Sequence, residues 1–230
     1  MREIAFDTET TGLDPGQGHR VIELGCVEMV DKIRTGRSFQ RYLNPQRDVP
    51  PEAQAVHGLS SSFLLDKPLF AEVVETFLEF IGDSQLVIHN AGFDLKFINA
   101  ELERVGFPAV PASRAVDTVG MARRKFPGSP ASLDALCKRF NIDLSSRSKH
   151  GALLDAELLA DVYLELCGGR QASIQLFDGA LKSGTESNKA VGSTTEVLAA
   201  RQFDLPAEEL EAHRALLDQL KNPLWAKLDV

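Results

Sequence analysis

The chain has 230 residues, 43% of them hydrophobic, and a formal net charge of −8. That length buries one substantial core with residues left for a short second element. No run approaches the roughly 18 consecutive apolar residues of a membrane helix and no signal-peptide pattern opens the chain, so a soluble cytoplasmic protein with no membrane partner is expected. The negative charge argues against gripping a polyanion by bulk electrostatics, because nucleic-acid binders usually carry a basic stripe. A nucleic-acid substrate would need bound divalent cations locally, or a partner that already holds it. Three cysteines, Cys26, Cys137 and Cys167, are isolated among apolar residues and read as reduced core thiols.

Residues 2–8 read as a strand, and Val21 to Val30 and Ile33 to Leu43 as two more, joined by a tight Asp31-Lys32 turn. Three strands in succession predict an antiparallel meander. From Phe70 to Ile81 the apolar residues Val73, Val74, Phe77, Leu78 and Ile81 fall at helical spacing, and Gln85 to Ile88 reads as a buried strand. A helix is predicted from about Phe93 to Val105, stopped by Gly106 and Pro108. A short strand at Ala115 to Asp117 and helices at about 118–125, 132–140 and 152–166 complete a mixed α/β layered domain, with Ser132 well placed as a helix N-cap. After Gly168-Gly169 the character changes: residues 182 to 195 are rich in Ser, Thr, Gly and Lys and read as a linker. Leu205 to Leu220 reads as an amphipathic helix carrying Leu210, Leu216, Leu217 and Leu220, followed by Pro223-Leu224-Trp225. A helix of that length is marginal in isolation and is expected to dock on something.

Asp7 and Glu9 are two apart on a strand, so both carboxylates point to one face and crowd each other. With Ile4, Phe6 and Leu13 nearby the setting is partly buried, and Thr10-Thr11-Gly12-Leu13 offers no compensating Lys or Arg. A hard divalent cation answers that arrangement economically; taken alone, the pair also fits acids at a solvated strand end. Asp94 follows His89-Asn90-Ala91-Gly92-Phe93 in the first turn of a helix, where acids are common for electrostatic reasons alone. His150 and Asp155 are five apart, a spacing that turns them away from each other on a helix, so His150 belongs on the preceding loop with Gly151 supplying freedom. Such a histidine can close over a substrate, or simply face solvent.

The ensemble is more specific than any of its parts. Phe6-Asp7-Thr8-Glu9-Thr10-Thr11-Gly12, then His89-Asn90-Ala91-Gly92-Phe93-Asp94, then His150-Gly151-Ala152-Leu153-Leu154-Asp155 resembles the three motifs of the DEDD exonuclease superfamily, in its histidine subgroup. The resemblance covers residues 1–168 and substitutes no catalytic position. It implies an α/β ribonuclease H-like fold, a mixed five-stranded sheet flanked by helices, and a 3′→5′ exonuclease using two divalent cations, Mg²⁺ or Mn²⁺. Asp7 would bridge both ions, Glu9 and Asp155 would complete the tighter one, Asp94 would hold the second directly or through water, and His150 would be the base. The products would be nucleoside 5′-monophosphates. Val56-His57-Gly58-Leu59 resembles the family segment that brackets the terminal nucleotide, although His57 with Gly58 equally fits a helix C-terminus and its cap. Thr10, Thr11 and Gly12 would back the 3′ end, with Asn90 and Phe93 also on the substrate side. A site accepting only unpaired nucleotides would favour a single-stranded or frayed, mismatched DNA 3′ end.

Beyond the domain, Gln171-Ala172-Ser173-Ile174-Gln175-Leu176-Phe177 resembles a bacterial sliding-clamp-binding peptide. Gln171 would bond at a pocket rim while Ile174, Leu176 and Phe177 enter apolar pockets; a terminal turn packed on the chain's own core is the alternative. A clamp-binding segment (169–180), a flexible linker (181–200) and a helical tail (201–230) resemble the layout of proofreading subunits of bacterial DNA polymerase III. The resemblance implies that the polymerase III alpha subunit is held through Leu210, Leu216, Leu217, Leu220 and Trp225, beside the clamp and possible binding of a small accessory subunit. Two other readings stay open: a free-standing enzyme of this superfamily acting on RNA ends or oligonucleotides, and a scaffold bridging clamp and polymerase.

Overall fold

Extended segments rich in β-branched and aromatic residues lead the chain, and their period-two alternation builds both sides of the fold. A computed structural model describes residues 1–145, 147, 149–169 and 206–219. Strands β1 (Arg2–Thr10), β2 (Val21–Val30) and β3 (Ile33–Tyr42) form the expected meander. The hairpin between β2 and β3 turns at Asp31 and Lys32, both with positive φ (51° and 67°), as the twist of a two-residue hairpin requires. Strands β4 (Gln85–Ile88) and β5 (Ala115–Asp117) then add parallel to β1, giving one mixed five-stranded sheet in the order β3-β2-β1-β4-β5.

Helices cover both faces. Ile4, Phe6, Leu24, Cys26, Leu86 and Ile88 point to one side, against α3 (Phe70–Ile81) and α4 (Ala91–Arg104), whose Val74, Phe77, Phe97 and Ile98 fill that layer. Ala5, Val27, Met29 and Val87 point the other way, against α5 (Thr118–Lys125), α6 (Leu133–Phe140) and α7 (Ala152–Leu166), through Ala122, Leu136, Ala156, Leu159 and Val162. Each large side chain removed from water contributes roughly 1.5–3 kcal/mol, so the two layers together clamp β1 on both faces. The α/β expectation, a mixed five-stranded sheet flanked by helices, is what the structure has.

The differences are local. Helix α4 begins two residues before the apolar periodicity suggested, because Asn90 takes the left-handed conformation (φ 68°) and turns the chain directly out of β4. Strand β1 runs on to Thr10, two residues past the expected end. Two short helices, α1 (Pro51–His57) and α2 (Ser61–Leu64), lie between β3 and α3; the sequence offered only the C-terminal end of the first, at His57 and Gly58, because one or two turns are too short to write a period. Ser132 caps α6 as expected, accepting from the Ala135 amide at 3.3 Å. Cys26 and Cys137 are buried, but Cys167 is exposed, which corrects its reading as a core thiol. It follows the last residue of α7, as the C-cap of that helix.

Described by itself, α8 (Ala207–Leu217) is helical where the sequence predicted a helix. It carries Leu210, Leu216 and Leu217; Leu216 is 55% exposed and none of the helix's residues is buried. The readings on Gln171, Ile174, Leu176, Phe177, the 181–200 linker, Leu220 and Trp225 lie outside the described residues. Among the described residues no helix is long and apolar enough to cross a membrane.

Candidate active site

Because β1 and β4 are parallel neighbours, their C-terminal ends meet at one edge of the sheet. That edge collects the chemistry, as the crevice beyond the carboxyl ends of strands does in α/β folds generally. The alternation that sends Ala5 towards α7 sends Asp7 and Glu9 to the same face. Helix α7 lies along this face. At its far end the Tyr163 hydroxyl donates to Glu3 Oε1 at 2.7 Å, and eight residues earlier, about 12 Å of helix, comes Asp155. Four residues of β1, about 13 Å, separate Glu3 from Asp7, so the two acids arrive side by side.

Two features not noticed in the sequence fix the start of α7. Gly25 pairs with Asp7 across the ladder, and a Cβ there would sit 2.2 Å from the backbone carbonyl of Ala152. Only glycine lets the helix begin this close to the sheet. Next to it, Glu23, paired with Glu9 in the ladder, is buried and its Oε2 accepts from the Ala152 amide at 3.1 Å while Gln40 donates to its Oε1 at 2.7 Å. One of the open amides of the helix N-terminus is satisfied from the strand below.

Asp94 arrives from the opposite layer. It stands in the first turn of α4, buried, and its Oδ1 accepts from both the backbone amide and the hydroxyl of Thr8, at 3.0 and 2.7 Å. Asp7 is half-buried; Glu9, Asp94 and Asp155 are buried. His150 is on the chain leading into α7, as expected, exposed, with its amide on the Val56 carbonyl at 3.3 Å. Its Nδ1 lies 3.2 Å from Asp155 Oδ2. One ligand atom each from Glu9, His150 and Asp155 falls within 4.8 Å of the others. The sequence reading thus brought five residues to one place.

Crowding shows in the acids. Burial, then Asp94, Glu9, Asp155 and Glu23, hold the Asp7 carboxyl well above the usual carboxylate range. Burial followed by Asp155, Glu23 and Asp94 pushes Glu9 up to about 8. Asp94 is raised to about 7 by burial against the opposing pull of the Thr8 bonds. Acids in this condition, presenting hard oxygen donors to a common centre, fit a divalent cation, which would restore their ionised forms.

Among the described residues, a cation on the acids comes from the chain before α7. Arg147, its side chain only 8% exposed, grips Asp155 with two hydrogen bonds, Nε to Oδ1 at 2.6 Å and Nη2 to Oδ2 at 2.7 Å. It also pairs with Asp134 in the first turn of α6 and reaches His150 Nδ1 at 2.8 Å. Local sequence around Asp7 held no such charge. Nothing in the spacing of Arg147 marks it; the fold alone brings it in.

Beside the acids lies a cavity of about 580 Å³, lined among others by Glu9, Thr10, Thr11, Gly12, His57 and Phe93. Five of the six residues assigned to the substrate side therefore share one cavity. The ring of His19 fills the space where a side chain on Gly12 would lie, 2.3 Å from Cε1. His57 is both things weighed for it: the last residue of α1, closed by left-handed Gly58 (φ 80°), and a cavity-lining side chain. Its Nδ1 accepts from the Leu59 amide at 3.0 Å, and burial, with Lys149 and His150 adding, lowers its pKa. A neutral ring with Nδ1 accepting carries its proton on Nε2, and that buried nitrogen has no partner among the described residues. Asn90 is the exception. Exposed at the start of α4, it lines a neighbouring cavity with His89, Asp117 and Arg123 instead, because the left-handed turn carries it past the edge of β4.

An exonuclease family model matches residues 4–163. The DNA polymerase III subunit epsilon of Rickettsia felis is 50% identical over 223 residues, covering 96% of this chain and 97% of that one. The subunit of the same name from Escherichia coli K12 is 43% identical over 230 residues, covering 94% and 92%. Among solved structures, exonuclease X in complex with 5′ overhanging duplex DNA is 27% identical with a TM-score of 0.57, covering 72% of this chain and 89% of that one. The nuclease domain of 3′hExo, a DEDDh family member bound to rAMP, shares the fold at 17% identity and a TM-score of 0.62, over 72% and 91%. On this evidence the chain belongs to the exonuclease family and, within it, to the DNA polymerase III epsilon subunits.

Proposed function

We propose that the chain removes nucleotides one at a time from the 3′ end of DNA as the proofreading subunit of a bacterial replicative polymerase. The convergence of Asp7, Glu9, Asp94, Asp155 and His150 at one sheet edge carries the reading. Asp7, Glu9 and Asp155 would hold one divalent cation and Asp7 with Asp94 a second, Mg²⁺ or Mn²⁺ by the hardness of the oxygens. Cations so held supply a nucleophilic water at neutral pH and neutralise charge on the departing 3′ oxygen.

The chain's own residues do the rest. His150, on the open side of the acids, accepts the proton of the attacking water. His57 donates from Nε2 to the terminal nucleotide, which the Phe93 ring and the Thr10–Gly12 backbone enclose. Such a cavity takes a nucleotide free of its complement, so a frayed mismatch enters more readily than a paired end. The −8 charge fits a chain that leaves DNA retention to others. The polymerase alpha subunit, reached through the 201–230 tail, and the sliding clamp, reached through Gln171, Ile174, Leu176 and Phe177, would supply it in the cytoplasm of a bacterium; a small accessory subunit would complete the assembly.

The test is nucleotide release from 3′-labelled DNA, paired and mismatched, with Mg²⁺ or EDTA, beside an RNA strand of the same sequence. Metal-dependent digestion favouring the mismatch is expected. Strong preference for RNA would replace this reading with an RNA-end exonuclease, and inactivity on every strand with metal present would leave only a scaffold.

A further inference from the structure

We propose that Arg147 is the resident counter-ion of Asp155, occupying the carboxylate that a divalent cation needs, so that metal binding has to draw the guanidinium away and with it the hold on His150. Both Asp155 oxygens are engaged by the guanidinium fork, in the two-bond geometry that makes arginine–carboxylate pairs strong. The pair is enclosed, with 8% of the arginine side chain and 5% of the aspartate exposed, so water screens it little. A divalent cation on the same carboxylate would stand within a few ångströms of the guanidinium, and like charges at that range oppose each other strongly at low dielectric. One positive charge suits a cluster of crowded acids without metal; added to metal it is an excess.

The same side chain controls the histidine. His150 Nδ1 lies 2.8 Å from Arg147 Nη2 and 3.2 Å from Asp155 Oδ2. Whichever way that nitrogen bonds, it is committed to the Arg147–Asp155 pair. An alternative berth is built beside it: Arg147 already reaches Asp134, half exposed in the first turn of α6 on the rim of the cavity that Asp7, His150 and Asp155 also line. Loss of the Asp155 contacts leaves the guanidinium on Asp134, and leaves His150 free to turn towards substrate. Arg147 is thus a positioning residue that couples the charge of the acid centre to the freedom of the histidine.

The inference rests on the metal reading given above and is tested without substrate, by calorimetric titration of the full chain with Mn²⁺ for the natural protein, Arg147→Met and Arg147→Lys. Removing the competing charge is expected to tighten Mn²⁺ binding by about tenfold or more, equivalent to about 1.4 kcal/mol. The lysine variant, which keeps a charge but loses the fork, should fall between. Melting in EDTA and in saturating Mn²⁺ gives a second readout, in which the metal-induced rise is larger for Arg147→Met than for the natural chain. Unchanged or weaker binding in both variants would overturn the proposal and make Arg147 a support for Asp155. Should Arg147→Met fail to fold without metal, the lysine variant decides. A natural chain that binds no Mn²⁺ at millimolar concentration would sink the metal reading itself, and this one with it.

Discussion

The acid centre has two walls, built in opposite ways. Asp7 and Glu9 stand on β1, which is laddered to β2 on one side and, up to Ala5, to β4 on the other, and Asp94 is fixed against Thr8 by two hydrogen bonds. The facing wall is a helix start, Asp155, with a length of chain before it that brings Arg147 and His150. Among the described residues that chain is tied by the Arg147 amide on the Leu144 carbonyl, the His150 amide on the Val56 carbonyl and side-chain charge. The difference teaches how each wall is held: Asp7, Glu9 and Asp94 are placed by a hydrogen-bonded ladder and core packing, while His150 is placed by contacts that can be exchanged.

Breaking either wall at its acids has the largest expected effect. Asp7→Asn and Asp155→Asn should each lower nucleotide release by roughly a thousandfold, about 4 kcal/mol of barrier. For Asp7→Asn the metal-free melting temperature should hold or rise, because a repelled charge is gone; a fall would mean the acid supports the fold. Next comes Gly25→Ala, which disturbs the facing wall alone. Its Cβ would collide with Ala152, and overpacking of this kind costs about 1–3 kcal/mol, a drop of about 2–10 °C in Tm for a chain of this size. Activity should fall further than stability accounts for, since Asp155 moves with the helix start; a stable, fully active variant would show that α7 need not sit so close.

A smaller effect sharpens the other wall. Thr8→Val deletes the hydroxyl bond to Asp94 and leaves the backbone bond, and lost support of a ligand typically costs about 10–100-fold in metal affinity or activity. Direct metal titration should weaken while Tm changes little. A readout that needs no substitution is stability against pH. Asp7, Glu9 (about 8) and Asp94 (about 7) have raised folded-state values, so between the unfolded carboxylate range and those values the folded chain holds more protons than the unfolded one. Stability therefore falls as pH rises from about 5 to 8 in EDTA. Saturating Mg²⁺ should flatten that slope; an equal slope with and without metal would place the titration elsewhere.

The rigid wall was the legible one. Asp7-x-Glu9 shows its shared face through strand periodicity, and the helix start at Asp94 shows through the apolar pattern after β4. His150 could be assigned to a loop because its spacing from Asp155 fits no helix face. Thr8 and Glu23 were not seen because their roles consist of contacts with residues 86 and 129 positions away in sequence, which no local pattern encodes; Arg147 is only eight residues from Asp155, but on a loop whose spacing follows no regular element. Glu23 did leave a trace, as a lone acid inside Val21-Ile22-Glu23-Leu24, where a buried carboxylate needs partners. Asn90, in the left-handed conformation, lines a neighbouring cavity with His89 and Asp117 and not the one beside Glu9, a placement its motif does not show.

The parallel seating of β4 beside β1 carries a consequence for biosynthesis. The acids that meet at that edge are Asp7, Asp94 and Asp155, spread from the first strand to the last helix of the domain. Chains emerge from the ribosome N-terminus first, so a nascent polypeptide has made Asp7 and Asp94 well before Asp155 exists, and no N-terminal stretch that ends before α7 contains all three.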